Sequence, residues 1–169
     1  MNEIINQLDF NYVYAKHLVK DVPEEKMAIK GGPGLDNHPA WTLGHLAMAI
    51  SNLVKNLSGD QDIPEQWKNL FSRTGPGDPT EIEQDPKAYP TKEELLKELN
   101  RQHEKLITIL LKIDSVRLEK EFEWRFAAYF PTFHDRIMFI SANHYAMHLG
   151  QLAAWRRAMG FPSALGSIE

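Results

Sequence analysis

The stretch TFHDRIMFISANHYAMHLGQLAAWRRAMG, residues Thr132–Gly160, decides the fold because it is the longest segment with helical periodicity. Apolar residues recur in it at a spacing near 3.6, as they do on one face of a helix. Pro131 precedes the stretch and Gly160 follows its last periodic residue, which are signals for the start and the stop of a helix. We therefore predict a helix from Thr132 to Met159, roughly 27 residues and about 40 Å long.

Two histidines lie in the middle of this helix. His144 and His148 are four residues apart, so both imidazoles lie on one helix face, about 6 Å apart along the axis, and can reach one metal ion. The predicted inward stripe consists of Phe133, Ile137, Ile140, Ser141, His144, His148, Leu152 and Trp155. Buried imidazoles lose water and need partners. The spacing thus indicates either a pair of metal ligands or two hydrogen-bonded core histidines.

Three more helices are predicted from apolar spacing and end signals. They run from about Asn2 to Lys20, from Pro39 to Ser58, and from Thr91 to near Asp114. The connection from Gly59 to Pro90 is far longer than the loop of a helical hairpin, which allows a crossover along the bundle. We expect one all-α domain over residues 1–169, a four-helix bundle with one long crossover.

Composition excludes several classes of function. The formal net charge is -4, so no global basic field exists to bind nucleic acid or anionic lipid. No apolar run approaches the ~20 residues of a membrane helix, and the N-terminal residues lack a signal-peptide layout, which makes the cytoplasm the expected location. The chain has 0 Cys, which excludes disulfides, thiolate nucleophiles and Cys-based metal sites and leaves His, Asp and Glu as possible ligands.

His45 is the best third ligand for the pair on the long helix. It follows Gly44, which would permit a close helix approach, and it lies among apolar residues of the second helix. Three neutral nitrogens can hold a divalent ion and leave positions open for water or substrate. Tyr145 stands where zinc proteases of the HExxH type have their general base, which disfavours that class. The inner stripes carry no Glu, which disfavours a ferritin-like carboxylate site.

The remaining histidines and an aromatic segment are weaker candidates. His103 is expected to be a core histidine bonded to a neighbour, or else a fourth ligand or pocket residue. His38 belongs at the start of the second helix and could lie at the mouth of the site, whereas His17 and His134 are expected to be solvated or capping groups. The aromatic residues between Trp124 and Phe133 could wall a pocket or close the end of the bundle.

Two motifs resemble the DinB-like superfamily of small bacterial four-helix-bundle proteins. They are Trp41–Leu46, WTLGHL, and His144–Leu152, HYAMHLGQL. The resemblance implies a divalent metal held by His45, His144 and His148, an up-down-down-up helix order and commonly a homodimer. The Tyr89-Pro90 pair and the Gly75–Pro79 turn also look like features of one branch of the family.

The resemblance also bears on activity. Relatives include transferases and isomerases that use a low-molecular-weight thiol, whose pKa the metal lowers. We therefore expect a metal-dependent enzyme, a thiol-dependent transferase or a hydrolase, that acts on a small electrophile. Zinc or nickel suits imidazole best, with manganese or iron as further options. The alternative is a binding or stress-response protein with a structural or vestigial metal, and a site closed by four protein ligands would favour that alternative.

Overall fold

The computed structural model describes residues 1–73, 75, 78 and 80–168. The described chain is helical, and its only β-type pairing is an isolated antiparallel bridge between Glu121 and Thr132. The helices are Asn2–Val19 (α1), Pro39–Ser58 (α2), Glu65–Phe71 (α3), Lys92–Leu110 (α4), Ser115–Leu118 (α5), Phe133–Met138 (α6) and Tyr145–Ala158 (α7). The predicted all-α class is confirmed. Most of the predicted turn at Gly75–Pro79 lies outside the described residues.

Helices α2 and α4 lie side by side and run parallel. At their N-terminal ends, the His38 ring packs edge-on against Tyr89, with 4.9 Å between ring centroids. At the other end, Lys105 of α4 pairs with Asp60, which follows α2, at 3.3 Å. Consecutive long helices can be parallel only if their connection returns along the bundle. The long connection is therefore the crossover that its length predicts.

Helix α1 and the C-terminal helix run parallel to each other and antiparallel to α2 and α4. Asn11 bonds to the carbonyl of Ser141, and further along both helices Arg156 bonds to the carbonyl of Leu18. Lys92, the first residue of α4, donates to a carbonyl at the end of α1. These contacts confirm the up-down-down-up order.

The helix ends follow their local sequence signals. The side chain of His38 accepts from the backbone N–H of Trp41, 3.2 Å away, and Gly59 ends α2 at a φ of 83°. Thr91 begins α4 with a capping box. Helix α4 ends at Leu110, a few residues before the predicted end near Asp114. The chain turns after Leu110, and the Asp114 side chain caps the start of α5.

The crossover contains the short helix α3, which the sequence did not predict. Its residues Trp67 and Phe71 are buried against the bundle. A Cβ on Gly44 of α2 would overlap the ring of Phe71, so only glycine lets this ring lie on the helix. The close approach expected at Gly44 is therefore made by the crossover.

The C-terminal helix is interrupted between α6 and α7. Residues Phe139–His144 form a π-helical turn, which contains one extra residue and so rotates the helix face that follows. Asn11, 5% exposed, donates to the carbonyl of Ser141 inside this turn at 3.0 Å. As a result, the predicted inward stripe is incomplete. It omits three buried residues, Tyr145, Leu149 and Arg156.

No helix in the described part of the chain combines the length and the apolar character needed to span a bilayer.

Replacing Arg156 by Ala should lower the free energy of unfolding by about 2 to 3 kcal/mol. Arg156 is 2% exposed, pairs with Asp21, and donates to the carbonyls of Leu18 at 2.8 Å and Pro162 at 2.7 Å. Its loss leaves these acceptors unpaired. Urea denaturation measures the change, and the exposed neighbour Arg157→Ala is the control, expected to change it by less than about 0.5 kcal/mol. Equal effects of the two substitutions would contradict the assignment.

Candidate metal centre

Three histidines that are distant in sequence come together on one side of the bundle. His45 lies on α2, His144 ends the π-helical turn, and His148 lies on α7. The ring centroid of His148 is 4.6 Å from that of His45 and 4.6 Å from that of His144. One nitrogen from each ring lies within 4.8 Å of the other two, so the group could hold a metal ion.

A backbone carbonyl sets the orientation of His45. Its Nδ1 donates to the carbonyl oxygen of Phe71 at 2.8 Å, and because a carbonyl only accepts, Nδ1 carries the ring proton. The Nε2 atom then has a free lone pair, and it lies 3.4 Å from Nε2 of His144. This spacing matches the about 3.3 Å between two nitrogens that bind one tetrahedral ion at 2.0–2.1 Å.

The other two rings have nitrogen atoms without protein partners. Nδ1 of His144 and Nδ1 of His148 are buried and bond to no described residue. Buried nitrogens without partners are costly to desolvate. Because Nε2 of His144 faces His45, an ion between the rings would bind that nitrogen and not the buried Nδ1. The fit of an ion is therefore argued from the spacing of one nitrogen per ring.

Burial keeps these imidazoles neutral. Burial, together with the neighbouring His45, lowers the pKa of His144 to about 4. Burial and the two neighbouring rings hold the pKa of His148 still lower, an effect that hydrogen bonding by Gln151 partly opposes. The pKa of His45 is lowered by burial and by the charge of Arg73, against the effect of its bond to Phe71. Neutral imidazole is the form that binds metal ions.

Aromatic and cationic side chains surround the three rings. The indole of Trp41 stacks on His45, with 4.6 Å between centroids and an interplanar angle of 12°. The guanidinium of Arg73 lies 5.1 Å from the centre of the Trp41 ring. On the other side, the ring of Phe139 lies 6.5 Å from His144. Around Phe139 pack the rings of Trp124, Phe126 and Phe130. The aromatic segment thus reaches one edge of the site.

The other histidines lie apart from this group. His103 bonds through Nε2 to Asp9 at 2.9 Å and stacks on Tyr12, which is the core role expected of it and not that of a fourth ligand. His38 is fully buried, caps α2 and bonds to the carbonyl of Glu83 at 2.9 Å. Its predicted place at the mouth of the site is therefore wrong. His17 bonds to Ser167 at 3.0 Å.

Sequence reasoning missed three residues that position the site: Asn11, Phe71 and Arg73. Asn11 carried a signal, because a polar residue lies on the otherwise apolar buried face of α1 with Leu8, Ala15 and Leu18. Phe71 and Arg73 carried none, because their roles come from the path of the crossover.

Comparisons with known proteins agree with this architecture. A family model described as DinB superfamily matches residues 7–152. A solved structure, described as the conserved protein of locus from Enterococcus faecalis, superimposes with a TM-score of 0.71 at 16% sequence identity. The match covers 94% of this chain and 96% of that one, and it shows a common fold. No curated protein matches this sequence. Together with the helix order and the histidine group, the family match establishes that the chain belongs to the DinB superfamily.

Proposed function

We propose that the protein is a metal-dependent enzyme, either a thiol-dependent transferase or a hydrolase, that acts on a small electrophilic substrate. The observation that carries this proposal is the convergence of His45, His144 and His148 in a group to which no described Cys, Asp or Glu contributes. Three protein ligands leave at least one position of a divalent ion for an exogenous ligand. A closed structural site would have four.

The ligand set explains why such a centre suits acid–base activation. All three donors are neutral, so a bound zinc, nickel, manganese or iron ion keeps its full positive charge and lowers the pKa of a bound thiol or water. The protein holds these donors in place. The Phe71 carbonyl fixes the ring of His45, and the wide turn carries His144. The aromatic side chains around Phe139 form an apolar edge that excludes water and can hold an apolar electrophile.

If the protein is the transferase, its proposed cosubstrate is a small thiol from outside the chain; if it is the hydrolase, water takes that place. With 0 Cys in the sequence, no protein thiolate can compete for the ion. Small thiols are kept reduced in the cytoplasm, which is the location we propose. The homodimer that the family resemblance implies is part of the same proposal.

Removing one of the three imidazoles should abolish stoichiometric metal binding. His144→Ala and His148→Ala each leave two ligands, too few for tight binding, whereas the helices do not depend on these side chains. Elemental analysis after dialysis should find one ion per chain in the unaltered protein and far less in either variant, with nearly equal circular dichroism. His17→Ala, outside the group, should bind as the unaltered protein does. Full occupancy in both site variants would refute the ligand assignment.

Metal affinity should depend little on pH between about 7 and 5.5. Protons compete with the ion for the same lone pairs, so ligands with lowered pKa values, such as His144 at about 4, lose little metal in mild acid. Three imidazoles with ordinary pKa values near 6.5 would together weaken binding by roughly a hundredfold or more at pH 5.5. Titration with zinc in competition with a chelator, repeated at each pH, measures how the zinc affinity changes with pH. A hundredfold loss would contradict the account.

The activity is tested with the metal-loaded protein and model electrophiles. Each electrophile is offered with a panel of small thiols and without thiol, so that thiol transfer and hydrolysis are measured separately. His148→Ala, treated in the same way, supplies the background rate. We expect rates well above that background in at least one combination, because only the intact centre lowers the pKa of a bound thiol or water. Rates equal to the background throughout would refute the enzyme and favour a binding protein.

A further inference from the structure

A positive charge lies one aromatic ring away from the metal centre. The Arg73 guanidinium packs over the Trp41 indole at 5.1 Å, and the same indole stacks on the His45 ring at 4.6 Å. One guanidinium N–H donates to the neighbouring carbonyl of Ser72 at 2.8 Å. This stack fixes the cation beside the site instead of leaving it free in solvent.

A second guanidinium, that of Arg125, packs against the chain just beyond Arg73. The side chain of Arg125 packs so closely on Gly75 that a Cβ there would overlap it. Gly75 is two residues beyond Arg73, so both cations flank the segment that leaves the site. Arg125 also covers the ring of Phe126, at 5.0 Å, within the aromatic cluster at the other edge.

The group of described residues that could hold the ion contributes no negative charge. The metal-binding group consists of histidines alone, and the charged side chain whose field reaches His45 is Arg73. A divalent ion on neutral ligands adds further positive charge. The completed site therefore attracts anions, and the planar fork of a guanidinium matches a carboxylate group.

We propose that the site selects a ligand that carries a carboxylate next to its metal-binding atom, and that Arg73 binds this carboxylate. This inference rests on the proposed function and names its substrate class, a thiol with a nearby carboxylate. Arg73 is here a substrate-binding residue that sets specificity. Because it is not one of the three ligands, its replacement should leave the metal ion bound.

Three thiols of equal length test the proposal. They are 3-mercaptopropionate, 2-mercaptoethanol and cysteamine, which end in a carboxylate, a hydroxyl and an ammonium group. Cobalt(II) replaces the natural ion, and the absorption band between thiolate and cobalt reports the dissociation constant of each thiol at low salt. Cysteamine has the most acidic thiol of the three, because its ammonium group stabilises the thiolate. 3-Mercaptopropionate has the least acidic thiol, because its carboxylate destabilises the thiolate. A preference for 3-mercaptopropionate would therefore run against intrinsic acidity.

We expect the unaltered protein to bind 3-mercaptopropionate most tightly. Arg73→Ala should raise the dissociation constant of that thiol by about fivefold. The dissociation constant of 2-mercaptoethanol should change by less than about twofold. Arg73→Lys should restore part of the loss. Arg117, which covers the Phe133 ring at 5.7 Å and lies outside the site, provides the control Arg117→Ala, expected to change nothing.

The possible failures are distinguishable. If cobalt does not bind, the proposed function fails and this inference fails with it. If cobalt binds but no thiol produces the absorption band, this inference and the thiol-dependent transferase fail, and the hydrolase is the form of the proposed function that stands. If the thiols bind but Arg73→Ala leaves the constant for 3-mercaptopropionate unchanged, or weakens all three equally, the carboxylate selection is refuted while the thiol-binding centre stands.

Discussion

The hydrogen bond from His45 Nδ1 to the carbonyl of Phe71 joins the crossover to the metal centre, and the arrangement of the site depends on it. The bond forms because Gly44, one residue before His45, lets the Phe71 ring lie directly on α2. It fixes the ring proton on Nδ1 and turns Nε2 toward His144. A backbone carbonyl of the crossover thus orients His45, one of the three candidate metal ligands. The long connection between parallel helices is therefore part of the site and not only a link.

A second constraint is the cost of burying three imidazoles beside one another. Each loses water, and His144 and His148 keep buried Nδ1 atoms without a described partner. The lowered pKa of His144 reflects this cost, because burial disfavours the protonated, charged ring. A bound cation would offset part of this cost by giving a partner to one nitrogen of each ring, such as Nε2 of His45 and of His144. The same burial disfavours charged forms of the three imidazoles, so an ion bound to them would keep its full positive charge.

Much of the fold could be predicted from sequence because the signals are local. The capping box at Thr91, Pro39 at the start of α2 and Gly59 at its end each act within one turn. The spacing of His144 and His148 likewise places two rings on one face without tertiary information. The position of His45 after Gly44 already made it the best third ligand, and the family resemblance implied the same three histidines.

The parts that could not be predicted arise from contacts between distant segments. Helix α3 has two buried aromatic residues and only about two turns. A helix this short does not show a clear 3.6-residue periodicity in its sequence. The π-helical turn is matched by a hydrogen bond from Asn11 on another helix, so the segment itself does not encode it. The role of Arg73 depends on stacking against Trp41. For the π-helical turn and for Arg73, the deciding interaction joins residues far apart in the chain.

The most direct measurement of the central claim is a crystal structure of the natively purified protein, with anomalous data collected across the absorption edges of zinc, nickel, iron and manganese. The account predicts one anomalous peak per chain, bound by His45, His144 and His148, with at least one further ligand from solvent or substrate. A histidine group without a peak, or an ion closed by a fourth protein ligand, would contradict it.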